Sequence, residues 1–415
     1  AWNSEADLKS YITRLEEAEK RDHRKLGKEL ELFMFNEISP GAPFWLPNGM
    51  IIFKELEKYW REIHDTYGYD EINTPIMVKE SLFKQSGHLE HYGENMFPLN
   101  LDKENYYLKP MNCPEATIVY SSKLRSYKDL PIRLSEIGRL NRNELSGSLG
   151  GMFRVRQLTM DDAHIFCRED QIQEEITKVL SLVNEFYSIF NLKPSFKLAT
   201  MPEKALGDKK TWNSAEKALE NSLKANKLKY EIKEKDGAFY GPKIDIHIKD
   251  VLNRDWQLAT IQLDFQMPER FDLSYQGEDS KKHRPVMIHR AIFGSFERFI
   301  GILTEHFAGK FPLWLSPIQV IIMNINDNNL KFAKEVFNKL KENKIRVTLD
   351  DRNESIPKKV REAQLKQINY MITIGDKEQS KKTLAIRTLD GNVKFDVKAD
   401  NFIKDILKEI QDKKI

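Results

Sequence analysis

Between residues 4 and 35 the apolar positions recur at helical spacing, Leu8, Tyr11, Leu15 and then Leu26, Leu30, Phe33, with glutamate and lysine on the opposite face. The pattern predicts one long charged helix, suited to packing or to a dimer contact. Proline and glycine in SPGAPFWLPNG stop it, and Asn48 is placed to cap a second helix with the stripe Ile52, Leu56, Trp60 and Ile63. YDEINTPIM then reads as a short strand closed by Pro75, and a proline belongs at a sheet margin or a subunit contact because it has no N–H to give a central ladder.

The chain is organised around Pro131 to Cys167. A strand is expected to end in Arg142-Asn143-Glu144, a loop to follow with Gly147, Ser148, Gly150 and Gly151, a returning strand to carry Arg154 and Arg156, and a further strand Asp162 and His164. Alternation puts Arg142 and Glu144 on one face, Asp162 and His164 on one face, and Cys167 away from His164. Such a set serves either a cross-strand ion-pair network or a ligand. The Gly/Ser loop suits a backbone that approaches a ligand closely. No Lys-Ser/Thr follows these glycines, so a phosphate would be held by arginine forks and not by a Walker-type loop.

Residues 170 to 191 and 209 to 226 read as amphipathic helices. GAFYGPKIDIHIKD and DWQLATIQLDFQMP are strand-rich and place Tyr240, Lys243, Asp245, Thr260, Gln262 and Asp264 on a polar working face of a central antiparallel sheet, which signals a ligand more than a core. In RPVMIHRAIFGSFERFIG a strand is expected to end at His289-Arg290, break at Gly294-Ser295 and lead into a buried helix through Phe296, Phe299, Ile300 and Leu303. Arg298 near its first turn needs a destination, which solvent at the helix end also supplies. From Pro317 apolar strands alternate with amphipathic helices, predicting a roughly 100-residue α/β domain with a mostly parallel sheet.

The length of 415 residues implies more than one domain, expected as an N-terminal helix or linker over 1–35, a larger α+β domain over 36–315 and a smaller α/β domain over 316–415. A net charge of +3 leaves any nucleic-acid contact to local basic patches. The two cysteines, Cys113 and Cys167, form no disulfide framework and suit a reducing compartment. Cys113 follows a Lys-Pro turn near a helix start, where a thiolate is favoured and could ligate a metal, although by itself a lone buried cysteine is the default reading. His88 and His91 in GHLEHYGENMF form an H-x-x-H pair read as surface or structural. No apolar run approaches the ~18 residues that span a bilayer, so no membrane partner is expected. The glutamate-rich start without methionine is read as a processed mature chain or a trimmed piece of a longer one.

From about residue 22 to the C-terminus the chain resembles class II aminoacyl-tRNA synthetases, and among them the threonyl-tRNA synthetase family. The segment Arg142-Asn143-Glu144 with its loop arginines resembles the second signature motif, FGSFERFIG around Arg298 the third, and the unit of helix, strand and Pro75 the first, which builds a dimer interface. RDHRKLGKELELF, KPMNCP, DDAHIFC, GAFYGPKI, QLDF and VMIHRA resemble further segments of that family.

The resemblance implies a class II antiparallel sheet flanked by helices, followed by an anticodon-binding domain. It implies that threonine is activated with ATP to threonyl-AMP and passed to the 3′ end of tRNA(Thr) by a homodimer. Cys113, His164 and His289 match the zinc ligands, zinc serving to tell the hydroxyl of threonine from the methyl of valine. Asp162 would receive the α-amino group, with Tyr240 and Gln262 lining the amino-acid pocket. Arg142 would meet the α-phosphate, Arg154 and Arg298 the phosphate tail, Glu144 the adenine amino group, and Mg²⁺ would accompany ATP. Asn353, Glu378 and Arg387 would read anticodon bases, with Lys358, Lys359, Arg361 and Lys366 on phosphates.

Departures from the family pattern are Glu115-Ala116 after Pro114, Gln157-Leu158 where Gly-Phe is common, leaving Leu158 to pack on adenine, and Gln367 at an often basic position. Many members carry an N-terminal editing region, and a short form is expected to make some Ser-tRNA and leave it uncleared; such forms occur in mitochondria, giving a mitochondrial matrix expectation, otherwise cytoplasmic. The rival reading is a non-catalytic tRNA-binding or accessory protein on the same scaffold, which would tend to lose the motif arginines and metal ligands retained here.

Overall fold

The computed structural model describes residues 4–415, so residues 1–3 of the expected N-terminal segment lie outside the described residues. The chain gathers into two compact units. One comprises the N-terminal stretch up to Met34, Phe44–Lys58 and Ile300–Ile415; the other comprises Phe35–Pro43 and Tyr59–Phe299. The expected boundary at 35/36 falls beside a unit edge, and that at 315/316 lies inside the first unit.

The one helix expected over 4 to 35 is two, α1 (Glu5–Arg21) and α2 (His23–Glu29), followed by a two-residue strand at Phe33–Met34. Asp22 breaks it: the residue leaves helical geometry at ψ 118°, and its carboxylate accepts the Arg24 N–H to open α2. A short side chain that bonds nearby backbone competes with helix continuation. The next helix, α3 (Pro47–Thr66), starts ahead of Asn48, whose amide donates to the Leu30 carbonyl and so does not cap. Proline at a first helical position gives up only an N–H that had no partner. The expected stripe Ile52, Leu56, Trp60 and Ile63 is buried.

The second unit is built on an eight-stranded sheet. Its elements in chain order are β1 (Asp70–Glu71), α4 (Cys113–Ser121), β2 (Ile132–Asn141), β3 (Gln157–Cys167), α5 (Ile172–Ser188), β4 (Pro194–Ala199), α6 (Lys209–Ala225), β5 (Tyr230–Lys233), β6 (Lys243–Lys249), β7 (Asp255–Asp264), β8 (Val286–Ser295) and the first residues of α7 (Phe296–His306). The strand order is β5-β4-β6-β7-β8-β3-β2-β1. The five contacts from β4 to β2 are antiparallel, and the outermost pairs, β5 with β4 and β1 with β2, are parallel. The strand before Pro75 is therefore an edge strand, as its proline requires.

Two strand expectations are corrected. β2 stops before Arg142, and Arg154 and Arg156 lie in the loop leading into β3 and not on a strand of their own. The loop turns through a short 3-10 segment at Ser146–Ser148, and its base is closed by the Arg142 N–H donating to the Arg156 carbonyl at 2.8 Å. β8 runs past His289-Arg290 to Ser295, with an irregularity after Ala291 in which Gly294 takes φ +76°. Glycine absorbs there a left-handed residue that a side chain would strain.

The face of this sheet towards α5 is largely apolar, with Asp161 and Arg290 the buried charged exceptions. Phe186, Tyr187 and Phe190 pack with Phe293 and Phe299, and the Tyr187 hydroxyl donates to the Ile292 carbonyl at 2.6 Å. A side chain of one strand residue in two must then face the other way, which leaves the opposite face for polar work.

In the first unit, residues 320–411 form a five-stranded sheet with helices on both faces. Its elements are β9 (Val320–Asn324), α8 (Leu330–Glu342), β10 (Val347–Asp350), α9 (Ile356–Leu365), β11 (Tyr370–Ile374), α10 (Asp376–Lys381), β12 (Leu384–Thr388), β13 (Val393–Val397) and α11 (Ala399–Gln411). The order is β10-β9-β11-β12-β13. Only β10 with β9 and β9 with β11 are parallel, the other two contacts being antiparallel, so the sheet is mixed and not mostly parallel. The short turn Asp390-Gly391-Asn392 permits only an antiparallel return of β13 on β12. Phe332, Val336, Leu340, Phe402 and Ile406 bury one face, and Met323, Ala363 and Met371 the other.

Candidate active site

Register writes the site across five strands. Lys243, Gln262, His289, His164 and Leu134 are lateral partners in one row, and Asp245, Thr260, Ala291, Asp162 and Glu136 in the next. Each side chain in these rows shares a face because its strand contributes alternate residues. Of these, Lys243, Gln262, His289, His164, Thr260, Ala291 and Asp162 line a cavity of about 310 Å³ whose walls include Cys113, Arg142, Tyr240 and Phe239.

Cys113, His164 and His289, which come from α4, β3 and β8, place their ligand atoms within 4.8 Å of one another, and all three are buried. Burial holds the His164 imidazole well below its ordinary pKa, so it stays a neutral ligand. Burial also raises the Cys113 thiol well above its ordinary value, with Asp162, Glu115 and Asp264 adding to the rise. The helix start thus fails by itself to make the thiolate expected there. A thiol and two imidazoles amid carboxylates are the donor set of a zinc-type cation, whose charge would release the thiol proton, and the residues fit one. Asp264, fully buried, accepts from His289 Nε2 at 2.9 Å and from the N–H groups of Gln266 and Met267 at 2.6 and 3.0 Å. A carboxylate behind a ligand histidine fixes its ring and tautomer.

Asp162 stands beside this cluster. Burial pushes its pKa up, opposed first by the amide of Asn112, which donates to Oδ2 at 2.9 Å. Tyr240 donates its hydroxyl to Gln262 Oε1 and lies tilted against His289 with ring centroids 4.8 Å apart; Gln262 donates in turn to Thr260 Oγ1 at 3.1 Å. His88 is buried, with Nδ1 hydrogen-bonded to Ser86 Oγ at 2.9 Å and Nε2 3.5 Å from Cys113 Sγ, while His91 stacks on Phe239; the pair is structural.

The arginines gather on one side. Arg142 lines the cavity and donates Nε to the Pro110 carbonyl at 3.2 Å. Arg154 pairs with Glu144 at 2.9 Å. Arg298, in the first turn of α7, reaches the Phe153 carbonyl at 2.9 Å. Its pKa is lowered first by burial and then by the charges of Arg142 and Arg154. Guanidinium groups gathered in this way, with only Glu144, among the described residues, as a counter-charge, suit an anion. Leu158 lies on the working face, buried with Leu140, Val155 and Met160. A Cβ on Gly147 or Gly150 would meet nothing within 4 Å, so these glycines give the loop freedom and no close approach within this chain.

In the five-stranded sheet Asn353 is exposed in the loop after β10. Glu378 accepts the Gly375 N–H at 3.0 Å and opens α10, and Arg387 on β12 donates to the Gly391 carbonyl at 3.1 Å. Asn353 and Glu378 follow the carboxyl ends of β10 and β11, whereas Arg387 turns to the β12–β13 hairpin. Lys359 is corrected: it is 1% exposed and its ammonium donates to the carbonyls of Asn324 and Asp350 at 3.2 and 2.9 Å, so it is a core strut and no phosphate contact. Lys358 is exposed and pairs with Glu354, and Arg361 and Lys366 are exposed.

Sequence reasoning singled out neither Asn112 nor the buried pair of Lys109 and Glu136, and it named Asp264 only as a polar strand residue. Lys109 in KPMNCP and Glu136 in LSEIG are spaced like surface charges, and only the β2–β3 register sets Glu136 beside Asp162.

A family described as tRNA synthetase class II core domain (G, H, P, S and T) matches residues 97–307, and an anticodon binding domain matches 319–409. The chain is 54% identical over 413 residues to the threonine–tRNA ligase of Clostridium novyi (strain NT), covering all of this chain and 65% of that one. It is 54% identical over 388 residues to that of Clostridium tetani (strain Massachusetts / E88), covering 94% and 61%. The chain thus spans less than two thirds of the length of these curated relatives. A crystal structure described as the RNA binding domain of threonyl-tRNA synthetase from Cryptosporidium parvum Iowa II superposes with a TM-score of 0.90 at 42% identity, covering 94% of this chain and 98% of that one. With the sheet, the three converging arginines and these matches in place, the chain belongs to the class II aminoacyl-tRNA synthetases, as a catalytic core followed by an anticodon-binding domain.

Proposed function

We propose that this chain is the aminoacylating part of a threonine–tRNA ligase: it activates threonine with ATP to threonyl-AMP and pyrophosphate and transfers the threonyl group to the 3′ end of tRNA(Thr). The observation that carries the reading is the convergence of Cys113, His164 and His289 beside Asp162 in the cavity that Arg142 also lines. A cation pocket next to a carboxylate suits an amino acid with a side-chain oxygen, and an arginine lining the same cavity suits the α-phosphate of ATP.

Asp162 receives the α-ammonium, and Tyr240 and Gln262, locked to each other, line the side-chain and carboxylate region. Arg142 neutralises the α-phosphate, Arg154 and Arg298 the phosphate tail, and Glu144, held by Arg154, meets the adenine amino group, with Leu158 under the base. The threonine carboxylate is already an anion, so attack at the α-phosphorus needs alignment and charge neutralisation and no general base. Mg²⁺ accompanies the ATP phosphates. Zinc held by Cys113, His164 and His289 supplies a Lewis acid that a hydroxyl can ligate and a methyl group cannot, which is how a polar site rejects valine.

Asn353, Glu378 and Arg387 offer an amide, a carboxylate and a guanidinium to unstacked anticodon bases. A homodimer would form over the segment that follows β1, where Ile76 and Met77 stand 41% and 45% exposed. The test is ATP–pyrophosphate exchange with threonine, serine, valine and proline, together with zinc content. Exchange stimulated by threonine and not by valine is expected; a folded, zinc-containing preparation without threonine-dependent exchange would refute the reading.

A further inference from the structure

Asn112 stands immediately before α4, the N-cap position at which asparagine is among the best residues because its side chain bonds the first free N–H groups. It makes no such bond. The amide is fully buried and turned the other way, donating Nδ2 to Asp162 Oδ2 at 2.9 Å, and among the described residues its Oδ1 has no partner. A buried amide that forgoes its helix and leaves an acceptor unmet is held in place for the one bond it keeps.

The sheet beneath makes room for it. Gly138 lies in the middle of β2, opposite Met160, with no left-handed φ that would call for glycine, and glycine weakens a strand interior. A Cβ at this position would overlap both terminal atoms of the Asn112 amide.

We propose that Asn112 is a positioning residue that aims the Asp162 carboxylate at the α-ammonium of the amino-acid substrate, and that Gly138 is glycine so that Asn112 can lie there. The inference rests on the reading of Asp162 as the ammonium acceptor. It does not depend on which amino acid is activated.

The test is a double-mutant cycle on the full chain in amino-acid-dependent ATP–pyrophosphate exchange, with N112S, G138A and the double variant. Serine caps a helix as well as asparagine does, so α4 still starts, but it is too short to hold Asp162. G138A displaces the same amide without touching α4, so the question stays decidable if the Asn112 variant does not fold. In each single variant the KM for threonine is expected to rise roughly 10–100-fold, the effect of one lost hydrogen bond to a charged group. The KM for ATP should move less than about threefold, and the double variant should be no worse than the poorer single, because both changes remove the same contact. The α-hydroxy analogue of threonine, which has no ammonium, should inhibit all four proteins equally. An unchanged threonine KM in both single variants, threonine and ATP KM values rising together, or single effects that multiply in the double variant would each overturn the proposal. A wild type that activates another amino acid would overturn the functional reading alone, and the cycle would then be run with that amino acid.

Discussion

Lys109 and Glu136 are 1% and 2% exposed, and their side chains meet at 3.0 Å. The ammonium also donates to the Thr74 hydroxyl at 2.7 Å and to its carbonyl at 3.2 Å, while Glu136 Oε1 accepts the Thr74 N–H at 2.8 Å. The pair ties the edge segment before Pro75 to the loop that carries Asn112 and Cys113. Lys109→Met removes one partner and leaves a carboxylate in the interior, which destabilises by about 3–5 kcal/mol when a buried pair is broken. For a unit of this size about 1 kcal/mol corresponds to 2–4 °C, so the melting temperature should fall by roughly 6–20 °C. Adding Glu136→Gln removes the orphaned charge and keeps an acceptor for the Thr74 N–H, and at least half of the loss should return. Thermal unfolding followed by circular dichroism at pH 7 reads both effects. A Lys109→Met variant that melts within about 2 °C of wild type, or a double variant that melts as low as the single, would refute the idea that an unpaired buried charge sets the loss.

Three further outcomes are expected. Arg298→Ala should lower kcat/KM for ATP by roughly 10²–10³-fold in pyrophosphate exchange, the effect of removing one charge-stabilising donor, and a loss below about fivefold would count against its place on the phosphate tail. Metal analysis should find about one zinc per chain and at least about tenfold less in Cys113→Ser with the fold retained; equal zinc in both proteins would exclude Cys113 as a ligand. The buried carboxyl of Glu297, which accepts the Thr159 N–H at 2.8 Å, is raised by desolvation from 4.5 to about 7. The folded state holds this proton more tightly than the unfolded one, so the stability it contributes is complete below about 4.5 and fades as pH rises through 7. Relative to Glu297→Gln, wild type should lose roughly 3 kcal/mol across that window in denaturant melts; parallel pH profiles would contradict it.

The chain's periodicities by themselves determined the elements whose burial is a one-dimensional property. The stripe of α3, the alternating strands β6 and β7 and the αβ alternation after Pro317 were legible because a helix or strand that packs on one side must repeat its apolar residues at its own period. Cys113, His164, His289, Asp162 and Arg142 were singled out through their motifs, and the structure sets them around one cavity. Other features were settled only in three dimensions. Asp22 could end α1 because its carboxylate found the Arg24 N–H, a bond that periodicity does not encode. Arg154 and Arg156 left the expected strand once the Arg142 and Arg156 backbones closed the loop. Lys359 looked like a phosphate contact until the sheet buried it under two carbonyls. Above all, the register of β2 on β3 set Glu136 beside Asp162 and Gly138 beneath Asn112. Register is a relation between distant segments, chosen by the whole sheet at once, and no single stretch of sequence carries it.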